Sequence, residues 1–147
     1  MSGLEALYQE LLLDHSKHPR GKELAIEEGR TAASHQHNPV CGDDVTVRVR
    51  LSDDGASIRD VTWDGAGCSV SQASASMLSE LAEGITVAEA TTLIDGFREA
   101  LRSRGAITLD EDVYLDAAAL SGVSRYVARV KCAMLAWVAL EDAMSRA

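Results

Sequence analysis

The sequence predicts an α+β domain in which a small antiparallel sheet of about three strands packs against several α-helices. Three observations support this prediction: a helical apolar pattern opens the chain, alternating valines and a turn follow at residues 45–55, and helical periodicity dominates from residue 71 onward. The length of 147 residues suits a single domain spanning 1–147, because a core of this size removes roughly two thirds of the unfolded chain's surface from water.

The first element is an amphipathic helix near residues 3–17. Its apolar residues fall at helical spacing and are Leu4, Leu7, Tyr8, Leu11 and Leu12. The helix ends at His18-Pro19, because proline disfavours helical backbone in the residue before it. Residues 21–40 mix charged, small and polar side chains without a clear period, so we expect a mobile loop there.

A β-hairpin is predicted next. Valines and a leucine alternate with polar residues from 45 to 51, which is typical of a half-buried strand, and the turn sequence 52–55 follows. Residues 57–64 should form the return strand. Ile58 and Val61 would face opposite sides of the sheet there unless a bulge intervenes.

Helices are predicted for the rest of the chain. One spans 71–83, and the next begins with the capping-box sequence Thr86-Val87-Ala88-Glu89 and stops at Gly105. A short helix is expected over 111–120, and a final helix begins near Ser124. The residues of this last helix expected to face inward are Val127, Val130, Met134, Leu135 and Val138.

Composition excludes several classes of function. The chain carries 14 basic and 23 acidic residues, a formal charge of −9, which repels nucleic-acid phosphates and anionic lipid surfaces. The first residues lack the pattern of a signal peptide, and the longest apolar run, 132–140, is too short to cross a bilayer. We therefore expect a cytoplasmic protein with neither nucleic acid nor membrane as a partner.

Three cysteines, Cys41, Cys68 and Cys132, nominate a chemistry. Their odd count, without an export signal, disfavours a disulfide framework and leaves metal binding, thiol reactivity or burial as small hydrophobes. Each lies at a predicted junction of elements. Gly42 lets the backbone fold so that Cys41 and Asp43 can face one point, and Cys68 comes just before a helix start, where the helix dipole stabilises a thiolate.

A metal site formed by these cysteines would require folding, because they are far apart in the sequence. Asp43 is the nearest donor for a fourth tetrahedral position, although it could instead be a turn residue. Arg129 and Lys131 precede Cys132 and would offset the negative charge of such a site, or they could belong to a solvated face. Thiolates bind zinc and iron–sulfur clusters alike, so the residues alone leave the metal open.

Three motifs surround the cysteines: Asn38-Pro39-Val40-Cys41-Gly42-Asp43, the segment 65–77 that begins Gly65-Ala66-Gly67-Cys68, and Arg129-Val130-Lys131-Cys132. Together with the first helix, from Leu7-Tyr8 to His18-Pro19-Arg20, they resemble the U-type iron–sulfur assembly proteins of the NifU/IscU-like superfamily. The resemblance covers nearly the whole chain and implies the α+β fold of that family.

Within this family the chain is more similar to the SufU branch than to the IscU scaffold branch. Lys131 stands where the scaffold branch usually has a histidine, and residues 126–131 contain no Leu-Pro-Pro-Val-Lys chaperone-recognition segment. The stretch between the second and third cysteines also looks longer than in the scaffold branch. These departures disfavour chaperone-driven cluster transfer.

The resemblance implies a zinc ion held by Cys41, Asp43, Cys68 and Cys132. It also implies a zinc-dependent sulfurtransferase that accepts persulfide sulfur from a SufS-type cysteine desulfurase and supplies downstream iron–sulfur assembly proteins. Cys41 is the predicted acceptor, because a loop gives it more freedom to leave the metal than helices give the other two cysteines. Two alternatives stay open: a scaffold for an iron–sulfur cluster, and a protein whose zinc only holds the fold.

The remaining polar and aromatic residues have simpler interpretations. His35 and His37 form a His-x-His sequence that could bind metal, but a solvated loop is the favoured interpretation. His15 is expected, like His18, to end the first helix, where a cationic imidazole suits the helix dipole. The two tryptophans are expected to serve packing.

Overall fold

The structure, a computed structural model, describes residues 3–40 and 42–147, with side chains from residue 6 onward, and it confirms the α+β fold. Its helices and strands are α1 (Gly3–Lys17), β1 (Thr31–Asn38), β2 (Asp43–Leu51), β3 (Ile58–Ala66), α2 (Ser69–Ala82), α3 (Val87–Arg102), α4 (Glu111–Tyr114), a 3-10 helix (Leu115–Arg125) and α5 (Val127–Arg146).

The sheet is antiparallel with strand order β1-β2-β3, so β2 is the central strand. Val47 of β2 lies opposite Ser34 of β1 and Trp63 of β3. Alternate residues of β2 are buried, from Asp43 to Leu51, and the residues between them are half-buried. One face of the sheet therefore packs against helices while the other carries polar side chains, which confirms the strand predicted from the valine alternation.

The structure corrects the loop predicted over residues 21–40, because β1 occupies its second half. This strand has a polar residue, Ser34, on its buried face, whose hydroxyl hydrogen-bonds with Asp142 of α5. His35 and His37 are exposed on its outer face. Hydrogen bonding to β2 along its whole length holds the strand, and hydrophobic periodicity could not reveal it because polar contacts satisfy its inward positions.

A bulge in β3 explains its irregular pattern. The register passes from Arg50 opposite Asp60 to Leu51 opposite Ile58, which leaves one residue of β3 without a partner. Ile58 and Val61 are consequently both buried on the helix-facing side. The bulge on which the sequence interpretation depended is present.

Most of the helix predictions are confirmed. α1 and α2 lie where the sequence places them, and α3 begins after Thr86, whose hydroxyl accepts a 3.0 Å hydrogen bond from the backbone N–H of Glu89. This is the N-terminal half of a capping box. Within residues 3–40 and 42–147, the helices are too short or too polar to cross a membrane.

The helix predicted over 111–120 is wrong beyond its first turn. α4 ends at Tyr114, Leu115 adopts a positive φ of 52°, and a 3-10 helix continues to Arg125. A leucine in this conformation interrupts α-helical hydrogen bonding. The alanines that follow favour an α-helix by propensity, but the tighter 3-10 geometry also buries them, so composition could not distinguish the two.

The buried face of α5 also differs from the prediction. Val127 is 69% exposed, and the other four predicted residues are only partly buried. The face that is fully buried consists of Cys132, Ala133, Ala136, Trp137, Ala139, Leu140 and Ala143. α5 packs against β1, β2, α2 and α3, and small side chains allow these elements to approach closely. The alanines therefore mark the core of this helix.

Candidate metal centre

Asp43, the first residue of β2, has a completely buried side chain. Its Oδ1 accepts a 2.8 Å hydrogen bond from the backbone N–H of Cys68, and its Oδ2 lies 3.8 Å from Cys68 Sγ. Gly42, at a φ of 73°, donates its N–H to the carbonyl of Asn38 at 2.8 Å and closes the turn between β1 and β2. This turn directs Asp43 inward. The hydrogen bond between Asp43 and Cys68 then joins the start of β2 to the start of α2.

Cys68 is the N-cap residue of α2, with extended backbone angles. Its carbonyl accepts hydrogen bonds from the N–H of Gln72 at 3.1 Å and from the hydroxyl of Ser71 at 3.0 Å. Its sulfur accepts no capping hydrogen bond from the described backbone N–H groups of α2. It lies beside Asp43 instead. Cys68 therefore lies at the N-terminus of α2, directly before the helix, which is the position that the sequence predicted.

Cys132 lies on the buried face of α5, with its Sγ 3.8 Å from the carbonyl oxygen of Ala128. The pKa of Arg129 is raised above its ordinary range, first by the charge of Cys68 and then by hydrogen bonding with Cys132. The Arg129 guanidinium therefore lies against both sulfurs. Lys131, by contrast, is exposed and lines a shallow groove beside β1.

The ligand atoms of Asp43, Cys68 and Cys132 all lie within 4.8 Å of one another. Two ligands of a tetrahedral zinc ion, one sulfur and one oxygen, should be roughly 3.6 Å apart, close to the Cys68–Asp43 separation of 3.8 Å. Two thiolates and a carboxylate suit zinc, and thiolates also hold iron–sulfur clusters. Cys41, the other predicted ligand, lies outside the described residues.

Gly67 leaves no room for a side chain beside this centre. A Cβ at this position would overlap Asp43 Oδ1 and lie 2.5 Å from Ser71 Oγ. We expect Gly67→Ala to displace the carboxylate and to lower zinc affinity at least about tenfold, measured by competition with a chromophoric chelator. Gly122→Ala is the matched control, since a Cβ there meets none of the described atoms within 4 Å. Equal affinities in the two variants would contradict this role for Gly67.

His15 does not have the environment that the sequence suggested. It is completely buried, with Nδ1 2.7 Å from Ser76 Oγ and Nε2 2.9 Å from Asp116 Oδ2. The cluster joins α1, α2 and the 3-10 helix, whose residues are too distant in sequence for local patterns to reveal the contact. Glu80 also lies within ligand distance of His15 and Asp116, but it pairs with Arg20 at 3.5 Å. We interpret this cluster as structural.

Apolar side chains are exposed around the centre. Val40, in the β1–β2 turn, is 84% exposed, and Tyr126 and Val127, at the start of α5, are 65% and 69% exposed. A groove of about 410 Å³ is lined in part by Val70, Tyr126 and Arg129. Val70 follows Cys68 closely and Arg129 contacts both sulfurs, so the groove leads to the centre. Exposed apolar residues of this kind often mark a binding surface.

Fold and site together define a class of protein: an α+β domain in which a β-turn, a helix N-terminus and a C-terminal helix bring a carboxylate and two cysteine sulfurs together. Comparison with known proteins gives the family. The chain belongs to the family described as the NifU-like N-terminal domain, whose model matches residues 7–145.

Relatives that match most of the chain carry two kinds of name. A Bacillus subtilis (strain 168) protein named zinc-dependent sulfurtransferase SufU is 34% identical over 99% of this chain and 94% of its own length. A Streptococcus pyogenes serotype M1 protein named iron–sulfur cluster assembly scaffold protein IscU is also 34% identical, over 99% of this chain and 87% of its own.

Solved structures share the fold. A crystal structure from Fervidobacterium islandicum AW-1, described as a candidate iron–sulfur cluster assembly scaffold protein for the SUF system, superposes with a TM-score of 0.78 at 32% identity and covers 97% of this chain and 99% of its own. The N-terminal part of a NifU-like protein from Brucella abortus gives a TM-score of 0.82 at 23% identity, over 99% of this chain and 96% of its own. The second likeness concerns the fold alone.

Proposed function

We propose that this protein is a zinc-dependent sulfur acceptor and carrier, which takes persulfide sulfur from a SufS-type cysteine desulfurase for iron–sulfur cluster assembly. One observation carries the proposal: Asp43, Cys68 and Cys132 converge on one point, with Arg129 against both sulfurs. The similarity to the Bacillus subtilis protein over nearly the whole chain supports it. A cytoplasmic setting, where thiols stay reduced, suits this chemistry.

Zinc would be held by Asp43, Cys68 and Cys132, with Cys41 as the fourth ligand. Chain geometry allows this ligand set, because two residues span at most about 7 Å and Cys41 is two residues from Asp43. When bound, the ion would keep the cysteine sulfurs deprotonated at neutral pH. Arg129 would offset part of the negative charge that three thiolates and a carboxylate place in a partly buried site.

Cys41 is the proposed sulfur acceptor. Its thiolate attacks the terminal sulfur of the persulfide on the desulfurase, a new sulfur–sulfur bond forms to Cys41, and the desulfurase cysteine leaves as a thiolate. No external oxidant or reductant is needed, because one sulfur–sulfur bond replaces another. Cys68 and Cys132 are held by α2 and α5, whereas Cys41 is followed in the sequence by Gly42, whose φ is 73°. The Cys41 sulfur is therefore the one best able to leave the metal.

The desulfurase would dock on the apolar rim formed by Val40, Tyr126 and Val127. These side chains lie within a few residues of Cys41 and Arg129, so a partner that covers them would also shield the persulfide from water. Burial of exposed apolar side chains is the usual driving force for such contacts. The sulfur would then pass to downstream iron–sulfur assembly proteins.

The test is a cysteine desulfurase assay with a SufS-type enzyme. Wild-type protein should accelerate alanine formation from cysteine, and Cys41→Ser should lose nearly all of this stimulation while keeping the circular dichroism spectrum of the folded chain. Mass spectrometry of the wild type after reaction should find one added sulfur on the peptide that contains Cys41. A folded Cys41→Ser that stimulates as well as wild type would exclude Cys41 as the acceptor.

A scaffold role is the second candidate, favoured by the relatives named as IscU scaffold proteins and by the suitability of thiolates for iron–sulfur clusters. Protein purified anaerobically distinguishes the two. A colourless protein with one zinc per chain supports the carrier, whereas a brown protein with iron and sulfide supports the scaffold. Zinc that only holds the fold would give a colourless protein that leaves desulfurase turnover unchanged.

A further inference from the structure

The outer face of the sheet carries two histidines that the proposed function does not use. His35 and His37 alternate along β1 and point to the same side, and in the register of the sheet His37 lies directly opposite Asp44 of β2. The side chains of His35, His37 and Asp44 are 56%, 50% and 46% exposed. A loop at these positions would leave the imidazoles unrelated to each other, but the strand aligns them.

One carboxylate faces both imidazoles. Asp44 Oδ1 lies 2.7 Å from His35 Nε2, and Asp44 Oδ2 lies 3.6 Å from His37 Nδ1. An oxygen and a nitrogen bound to the same tetrahedral zinc ion should be roughly 3.3 Å apart, a spacing between these two values. Imidazole nitrogens with a carboxylate are a ligand set that suits zinc, nickel and copper. The three donor atoms do not all lie within 4.8 Å of one another, so the exposed imidazoles must rotate about their side-chain bonds to bring all three onto one ion.

This cluster is separate from the thiolate centre, although Asp44 follows Asp43 in the chain. Successive residues of a strand point to opposite faces, and Asp43 is completely buried while Asp44 is half-exposed. Farther along the outer face, residues before β1 cover the sheet: Arg48 Nη1 donates to the carbonyl of Ala25 at 2.8 Å, and the N–H of Ala25 donates to the Thr62 hydroxyl at 2.9 Å. Solvent reaches the histidine end more readily.

We propose that His35, His37 and Asp44 form a second binding site, for a divalent transition-metal ion that prefers imidazole ligands. Three protein ligands leave the remaining coordination positions to water, so the ion exchanges readily with solvent. The site is therefore weaker than the thiolate centre and loads independently of it.

Nickel titration of the full chain, with its thiolate centre first saturated with zinc and any affinity tag removed, tests this site residue by residue. Paramagnetic Ni²⁺ at one equivalent should broaden the imidazole NMR signals of His35 and His37 while leaving those of the exposed His18 sharp. Nickel affinity should fall at least about tenfold in His35→Ala or His37→Ala and about tenfold to a hundredfold in Asp44→Ala. His18→Ala is the matched control and should bind as wild type does.

Two results would overturn the proposal. One is a His35→Ala/His37→Ala double variant that binds nickel as tightly as wild type, and the other is equal broadening of His18 and of the two strand histidines. The readout is independent of desulfurase stimulation and of the cysteines, so failure of this site and failure of the sulfur-carrier function give different results.

Discussion

Trp137→Ala is expected to lower the free energy of unfolding by about 3–5 kcal/mol. The indole is completely buried on α5 and stacks on Phe97 of α3, with ring centroids 3.7 Å apart and planes within 2° of parallel. Its Nε1–H donates a 2.9 Å hydrogen bond to Ser74 Oγ of α2. Truncation therefore leaves a cavity where three helices meet, removes the stacked pair and breaks a buried hydrogen bond. Equilibrium unfolding in urea measures the loss.

Trp137→Phe separates the packing contribution from the hydrogen bond. The smaller ring still packs on Phe97, and the Ser74 hydroxyl keeps its 2.6 Å bond to the carbonyl of Ala133, but the indole N–H is gone. We expect a loss of about 1–2 kcal/mol from this variant. An alanine variant within 1 kcal/mol of wild type would mean that the three-helix junction repacks and that the stack contributes little.

The fold was predicted best where apolar side chains recur at a regular spacing, every second residue in a strand or every three to four residues in a helix. The valines of β2 and the leucines of α1 met that condition, and both elements form as expected. β1 did not meet it, because its inward residues are satisfied by polar contacts, such as the bond from Ser34 to Asp142. α5 was assigned the wrong face because its most buried positions hold alanine, whose place in a core depends on how closely neighbouring elements approach.

Parts of the site were predictable because they depend on local chemistry. A cysteine after Gly67 and before a helix identifies the N-cap position of Cys68, and a glycine before Asp43 identifies a turn. The contact of Arg129 with both sulfurs depends on how α5 lies against α2, which a single sequence does not encode in any local pattern. The burial of His15 between α2 and the 3-10 helix was missed for the same reason.

Removal of the proposed metal ion is expected to lower the melting temperature by on the order of 10 °C. A ligand at a thousand times its dissociation constant stabilises the folded state by about 4 kcal/mol, and for a chain of this length each kcal/mol shifts the midpoint by about 2–4 °C. The physical reason lies in the ligands: without the cation, the buried Asp43 carboxylate faces the Cys68 and Cys132 sulfurs at short range. Calorimetry before and after treatment with a chelator measures the shift.

Cys132→Ala is the control for this prediction, because it removes one ligand while alanine fits the small-residue face of α5. The variant should melt near the temperature of the chelated wild type and should not respond further to the chelator. If the chelator strips the metal from wild type without changing its melting temperature, the ion does not link β2, α2 and α5. If it lowers both proteins equally, the effect arises away from Cys132, and the three-element centre is not the site from which the metal stabilises the fold.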